Sequence, residues 1–149
     1  NSRRIAAMQD FVDDAVENGS NIIYGGKKHK DVGYFWEPTI IENINEGSKI
    51  VNQEIFGPIL PLFKFNDYDE VIDQANSLNY GLASYFYSSS KALQQKMAQE
   101  IIAGGVSINT AAPLHPEIPY GGVKESGIGY EGGMDAIYSF IHKKNINII

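Results

Sequence analysis

Residues 53–58 place several chemically different groups next to one another in the sequence. Glu54 supplies a carboxylate, Phe56 an aromatic ring, Gly57 a flexible position and Pro58 a fixed backbone torsion. A carboxylate beside a ring predicts a binding site for a polar ligand with a flat face, because the carboxylate accepts hydrogen bonds and the ring can stack. The alternative is a turn with a core phenylalanine and a solvated glutamate. These residues by themselves favour neither interpretation.

Residue types for nucleophilic or metal chemistry are sparse. The sequence contains no cysteine, so it predicts no disulfide, thiolate metal site or cysteine nucleophile in these residues. Its three histidines, His29, His115 and His142, are far apart, and no pair has the spacing of metal ligands. No serine lies in a nucleophile-elbow pattern, and the serines at 88–90 are better explained as helix caps. The sequence therefore predicts neither a metal site nor a nucleophile and base pair.

A glycine pattern near the end of the chain resembles a nucleotide-binding motif only superficially. Gly127, Gly129 and Gly132 match GxGxxG. A dinucleotide fingerprint must follow a strand, open a helix and lie in a βαβ unit of about 30 residues. The 149-residue sequence leaves too little chain after Gly132 for such a unit. We expect these glycines to serve turns and close packing instead.

Composition and charge bound the class of protein. The 149 residues are 43% hydrophobic and 20% charged, which is typical of a globular domain with a core. The net charge of −6 argues against a nucleic-acid partner, and no apolar run is long enough to span a membrane. No secretory signal is visible, and the lack of cysteine fits a cytoplasmic protein. The chain begins with Asn1 rather than Met, so we expect a piece of a longer polypeptide.

Hydrophobic periodicity predicts elements that could position these residues. Apolar residues from Ile5 to Val16 recur at helical spacing, and residues 21–24 and 35–41 are extended, with Pro38 placing the latter segment near a sheet edge. Strands are predicted at 59–65, 82–87 and 106–109, and the helices between them are capped by Asp67 and by a serine of 88–90. This order predicts an α/β fold with a parallel βαβαβ sheet and packed helices.

The last third of the chain supplies loops and a tail. Because ligands bind beyond the carboxyl ends of parallel strands, the loop at residues 110–118 is a candidate wall of the site. Residues 134–140 predict a short helix, and residues 145–149 alternate polar and apolar side chains as a strand does. With no hairpin partner nearby, we expect that terminal strand to pair elsewhere, including on another subunit.

Several separated blocks together resemble one protein family. These are QEIFGPIL at 53–60, Ala75-Asn76 with YGLA at 80–83, AGGV at 103–106 with Asn109, PYGGVKESGIGYE at 119–131, and Lys144. In this order they resemble the carboxy-terminal part of the NAD(P)-dependent aldehyde dehydrogenases. The resemblance implies that residues 1–133 are the C-terminal portion of the catalytic domain. It implies that residues 134–149 are a C-terminal helix and an oligomerisation arm.

The resemblance also implies a reaction. Members of the family oxidise an aldehyde to a carboxylic acid with NAD or NADP, through a thioester on a cysteine. That cysteine, the glutamate that activates water and the cofactor domain would lie upstream of residue 1, so we expect these residues alone to be inactive. The tail implies a homodimer or homotetramer. Two alternatives remain open: a non-catalytic α/β oligomerisation module, and a related acylating or phosphorylating semialdehyde dehydrogenase.

Individual roles follow from the matched positions. Glu54 matches the glutamate that holds the nicotinamide ribose hydroxyls, and Phe56 matches the ring that lies against the nicotinamide. Tyr120 stands at the substrate-tunnel wall, where many members carry Phe, so a purely apolar pocket is less certain. His115 lies in the tunnel-mouth loop, with an ordinary loop histidine as the alternative. Glu131 matches an acid given a role in proton exit, although a tyrosine replaces the arginine common just before it.

Overall fold

The computed structural model describes residues 1–112 and 115–149, which form two compact units, Asn1–Phe65 and Asn66–Ile149. Pro113 and Leu114 of the predicted tunnel-mouth loop lie outside the described residues. No helix in the described part of the chain is long and apolar enough to cross a membrane. In the same residues, no group of three or more metal-ligating side chains comes together.

The first unit packs one long helix against a three-stranded sheet. Its elements are α1 (Ser2–Glu17), β1 (Asn21–Tyr24), β2 (Thr39–Glu42), α2 (Lys49–Asn52) and β3 (Ile59–Pro61). Strand β2 is central, antiparallel to β1 and parallel to β3. The expectation that Pro38 places this segment near an edge is therefore wrong. Pro38 precedes the first paired residue, so its missing N–H removes no bond from the ladder.

The core of the first unit follows from the periodicity of α1. The Asn1 side chain accepts a hydrogen bond from the Arg4 amide and so caps the helix. The helix buries one face against the sheet and α2. The buried apolar residues of this core are Met8, Phe11, Val12, Ala15, Trp36, Ile41, Ile50 and Ile59. We conclude that α1 is the element on which the sheet and the loops around α2 rest.

Polar contacts join α2 to α1 at the surface. The Lys49 amide donates to the Asp14 carboxylate at 2.7 Å, and the Lys49 ammonium donates to Asp10 at 2.7 Å. The hydrogen bond with Asp10 raises the pKa of Lys49 above its ordinary value of 10.5. Because α1 holds the start of α2 in place, α2 fixes the position at which the following loop begins.

The second unit contains the predicted strand–helix–strand repeat. Its elements are α3 (Tyr68–Asn76), β4 (Tyr80–Gly81), β5 (Ala83–Phe86), α4 (Lys91–Glu100), β6 (Gly105–Ile108), β7 (Val123–Lys124) and a 3-10 helix (Asp135–Phe140). Strands β5 and β6 are parallel and joined through α4, and β4 is antiparallel to β7. The predicted caps are confirmed, because Asp67 accepts from two amides of α3 and Ser90 accepts from the Leu93 amide.

The single parallel βαβαβ sheet is confirmed only in its second half. Strand β3 takes β2 as its parallel partner, so among the described residues it belongs to the sheet of the first unit. It is also shorter than the predicted 59–65, ending at Pro61. The parallel neighbour of β3 is β2, which lies earlier in the sequence. Strand pairing is decided by such distant segments rather than by the local pattern.

The end of the chain differs from its predicted form. The short helix predicted at 134–140 is a 3-10 helix at Asp135–Phe140, whereas residues 141–149, predicted to end in a strand, have no regular secondary structure. Ile146, Ile148 and Ile149 are exposed. A strand needs a partner for its backbone groups, and the described chain offers this tail none. Pairing of residues 145–149 with another subunit stays a prediction.

Candidate functional site

The loop at residues 53–58 connects α2 to β3 and is fixed at both ends. The Gln53 amide donates to the Lys49 carbonyl at 3.0 Å. At the other end, the Pro58 carbonyl accepts from the Thr39 amide at 2.8 Å. Between these anchors, Ile55 packs against the hydrophobic core. Glu54 and Phe56 flank the anchored Ile55, and both are exposed.

Phe56 combines exposure with a strained backbone. Its φ is 43°, in the left-handed region that a bulky residue adopts only at a cost of about 1–2 kcal/mol. The residue is 73% exposed, so burial of the ring offsets little of that cost. The alternative of a core phenylalanine is therefore wrong for this chain.

The other residues with positive φ explain why Phe56 is unusual. Asn109 bonds the backbone of Ser88 through its side-chain amide, as donor and as acceptor. Lys124 donates from its ammonium to the carbonyls of Asn76 and Leu78. Asn43 is of a type that tolerates this conformation. A phenylalanine ring forms no such bonds, so strain at Phe56 points to a role outside the fold of this unit.

Glu54 presents a carboxylate without an internal partner. Within the described part of the chain, its side chain forms no hydrogen bond and no ion pair. An ionised carboxylate is acceptor-only, and its two oxygens can bind two donors at once. Glu54 and Phe56 therefore offer a free acceptor and a free ring, separated by one residue, on one anchored loop.

The predicted residues of the second unit come together around one pocket. His115, Tyr120 and Glu131 line a pocket of about 270 Å³, together with Pro116, Ile118 and Gly132. Tyr120 and Glu131 are paired across an antiparallel bridge, with amide-to-carbonyl distances of 2.7 and 2.8 Å. Ile118 was not singled out by the sequence, although it lies within the predicted loop at 110–118. The lining of the pocket combines apolar and polar groups.

Backbone packing and hydrogen bonds position Tyr120. A side chain at Gly104 would overlap the carbonyl of Gly121, so the chain next to Tyr120 lies directly against the start of β6. Lys124 ties β7 to the end of α3 by bonds of 2.8 and 2.7 Å. The Ser126 hydroxyl accepts from the Gly81 amide at 2.9 Å. Sequence reasoning assigned no role to Lys124 or Ser126, and a lysine in a left-handed turn has no signal in composition or periodicity.

Comparison with known proteins gives a consistent result. The model of the aldehyde dehydrogenase family matches residues 1–146. Over 142 residues the chain is 37% identical to 3-sulfolactaldehyde dehydrogenase of Pseudomonas putida, covering 95% of this chain and 29% of that protein. It is 36% identical over 142 residues to the NADP(+) succinate-semialdehyde dehydrogenase of Escherichia coli K12, covering 95% of this chain and 30% of that protein.

A solved structure agrees at the level of the fold. An aldehyde dehydrogenase of Bacillus cereus in complex with NAD+ superposes with a TM-score of 0.88 at 31% identity, covering 92% of this chain and 28% of that chain. The α/β fold of the chain is thus the one found in solved aldehyde dehydrogenases. The chain spans less than a third of the length of each of these relatives.

Proposed function

The chain belongs to the aldehyde dehydrogenase family, and we propose that it is the C-terminal part of an NAD(P)-dependent enzyme that oxidises an aldehyde to a carboxylic acid. In this proposal Glu54 and Phe56 hold the nicotinamide end of the cofactor, Tyr120 and His115 line the substrate tunnel, and Glu131 serves proton exit. The observation that carries it is Phe56, an exposed ring held in a strained backbone beside a free carboxylate. Relatives named for NADP(+) and solved with NAD+ support either cofactor.

The residues at 54 and 56 fit a nicotinamide riboside. The two oxygens of Glu54 accept hydrogen bonds from the two hydroxyls of the ribose, and such charge-assisted bonds are short and strong. The Phe56 ring would lie against the nicotinamide and restrict its rotation. When bound, the cofactor would supply the acceptor for the hydride that leaves the substrate. Glu54 and Phe56 contribute orientation, which supplies a large part of the rate when donor and acceptor must meet at one distance and angle.

The second unit supplies the pocket wall. Ile118 and Pro116 provide apolar surface for the body of a small aldehyde, and Tyr120 adds a hydroxyl to a wall that is otherwise largely apolar. Glu131, paired with Tyr120 through the backbone, is the proposed group for proton exit. The reaction needs a thiolate to attack the carbonyl, and these 149 residues contain no cysteine. The nucleophile therefore comes from other polypeptide. We propose the same for the water-activating glutamate, and we expect residues 1–149 alone to be inactive.

The division of the chain and its assembly are part of the same proposal. Residues 1–133 form the end of the catalytic domain, and residues 134–149 form a helix and an arm. The arm pairs as a strand with a second subunit, giving a cytoplasmic homodimer or homotetramer. The exposed Ile146, Ile148 and Ile149 support this assignment, because a partner surface would bury them.

The test is a matched pair of isosteric substitutions in the full-length enzyme. We expect Glu54→Gln to lower kcat/KM for NAD(P) about 10- to 100-fold, because a neutral amide replaces a charged double acceptor. Glu46→Gln serves as the control, since Glu46 is an exposed glutamate of the same unit outside the loop. Turnover of Glu54→Gln at the wild-type rate, with Glu46→Gln also unchanged, would refute the role of Glu54.

Two further measurements separate the alternatives. Product analysis distinguishes a free acid from a thioester or an acyl phosphate, and either of the latter would assign an acylating or phosphorylating semialdehyde dehydrogenase. Titration of the full-length protein with NADH and NADPH tests the non-catalytic oligomerisation module. That module predicts a defined oligomer with no affinity for either dinucleotide.

A further inference from the structure

Gly57 is required by space rather than by backbone torsion. Its φ lies outside the left-handed region, so an alanine could adopt the backbone conformation. A Cβ at this position, however, would overlap the sulfur of Met8 and lie 2.8 Å from its Cε and 3.4 Å from its Cγ. The backbone just after Phe56 therefore rests directly on the Met8 thioether of α1.

Both partners in this contact are packed or bonded on their other sides. Met8 is 1% exposed and lies in the core cluster of the first unit, where close packing leaves few voids. On the other side, the Gly57 carbonyl accepts from the Ile59 amide at 2.9 Å, and the next residue is bonded to β2. Ile55 packs against the same cluster from the preceding position. The loop is thus held at Ile55 before Phe56 and at Gly57 and Pro58 after it.

We propose that Met8 is a positioning residue for the loop at 53–58, whose Glu54 and Phe56 are proposed to bind the cofactor. The Met8 thioether determines how closely the Gly57 backbone approaches the core. That position in turn determines the left-handed conformation of Phe56 and the exposure of its ring. This inference rests on the proposed function of Glu54 and Phe56 and extends it to a helix about fifty residues earlier in the sequence. Met8 touches no ligand in this proposal, and it acts through the backbone at Gly57.

The experiment is a rescue cycle in the full-length enzyme. Gly57→Ala places a methyl group where the Met8 sulfur lies. We expect the loop to shift together with Phe56 and the Kd for NADH or NADPH to rise at least tenfold. Gly47→Ala is the matched control, because a Cβ there meets only a side-chain oxygen at 3.3 Å. The double variant M8A/G57A removes the overlap, and we expect it to recover at least fivefold of the lost affinity.

Three readouts make the outcome decisive. Dinucleotide fluorescence gives Kd, steady-state rates give kcat, and thermal unfolding gives Tm. A merely structural role lowers the folded fraction, which reduces the apparent kcat while the Kd of the remaining enzyme stays unchanged. That pattern for Gly57→Ala, or a Kd within twofold of wild type, overturns the proposal. So does a double variant whose loss equals the product of the two single losses.

Two additions cover the ways in which the cycle could fail. If M8A lowers the yield of folded enzyme, Met8→Val replaces it, since valine also lacks the sulfur and the terminal methyl. Phe56→Ala is measured in parallel. If Phe56→Ala leaves Kd unchanged, the proposed function itself is refuted. If Phe56→Ala weakens binding and Gly57→Ala does not, only the role of Met8 is refuted.

Discussion

Replacing Phe56 tests whether this residue serves ligand binding or folding. Only about a quarter of its side chain is covered. Full burial of a phenylalanine contributes about 1.5–3 kcal/mol, so Phe56→Ala should remove only about 0.5 kcal/mol of stability. Phe56→Gly also removes the Cβ from a left-handed backbone, a relief of about 1–2 kcal/mol. Extra freedom of the unfolded chain opposes this by about 0.4–1 kcal/mol.

These magnitudes predict an order of stabilities that is unusual for a phenylalanine. Phe56→Gly should be at least as stable as Phe56→Ala, and both should lie within about 1 kcal/mol of the wild type. Both should nevertheless bind NAD(P) at least tenfold more weakly. Phe11→Ala is the control from the same unit, because Phe11 is buried and its truncation should cost about 3–5 kcal/mol.

The assay is thermal unfolding of the full-length enzyme, followed by fluorescence titration with the reduced cofactor. A loss at Phe56 as large as that at Phe11 would show that the ring is part of a core, and the argument from strain would be wrong. Wild-type affinity in Phe56→Gly would show that the ring does not contact the nicotinamide. Lower stability of Phe56→Gly than of Phe56→Ala would contradict the left-handed conformation itself.

Substitutions at three other positions test the scaffold by thermal unfolding. Asp67→Ala should lose about 1 kcal/mol by removing the cap of α3, whereas Asp67→Ser, which keeps an acceptor, should lose less. Lys124→Met removes both bonds to carbonyls at the end of α3 and should cost about 1–2 kcal/mol, with Lys124→Arg partly restoring them. Asp10 raises the pKa of Lys49 above 10.5. The contribution of this ion pair to stability is therefore lost only as the pH rises through the folded-state pKa of Lys49. The Tm difference between Lys49→Met and wild type should therefore be constant from about pH 6 to 9.

Features of the fold that depend on neighbouring residues could be predicted from the sequence. The spacing of apolar residues in α1, the caps at Asp67 and Ser90, and the β5–α4–β6 unit are all local or nearly local signals. The partner of β3 could not be predicted in this way. Its short apolar run fits any parallel neighbour, and the choice of β2 depends on residues about twenty positions earlier.

The candidate site likewise has features that the sequence predicts and features that depend on residues distant in the sequence. The resemblance selected Glu54, Phe56, His115, Tyr120 and Glu131, and the last three line one pocket. Their roles stay predictions. The left-handed backbone of Phe56 has no sequence signal, because a phenylalanine is among the residues least expected there. The contact between Met8 and Gly57 was likewise invisible, since it depends on how α1 packs under a distant loop.

The motif at 119–131 contains residues that bond to the rest of the fold and residues that line the candidate pocket. Its middle is occupied by internal bonds, because the Lys124 ammonium holds α3 and the Ser126 hydroxyl holds the Gly81 amide. Its two ends, Tyr120 and Glu131, are joined to each other through the backbone and face the pocket. Lys124 and Ser126 therefore hold the middle of the motif to the fold. The roles that we propose for Tyr120 and Glu131 depend on its two ends, which the backbone bridge keeps next to each other.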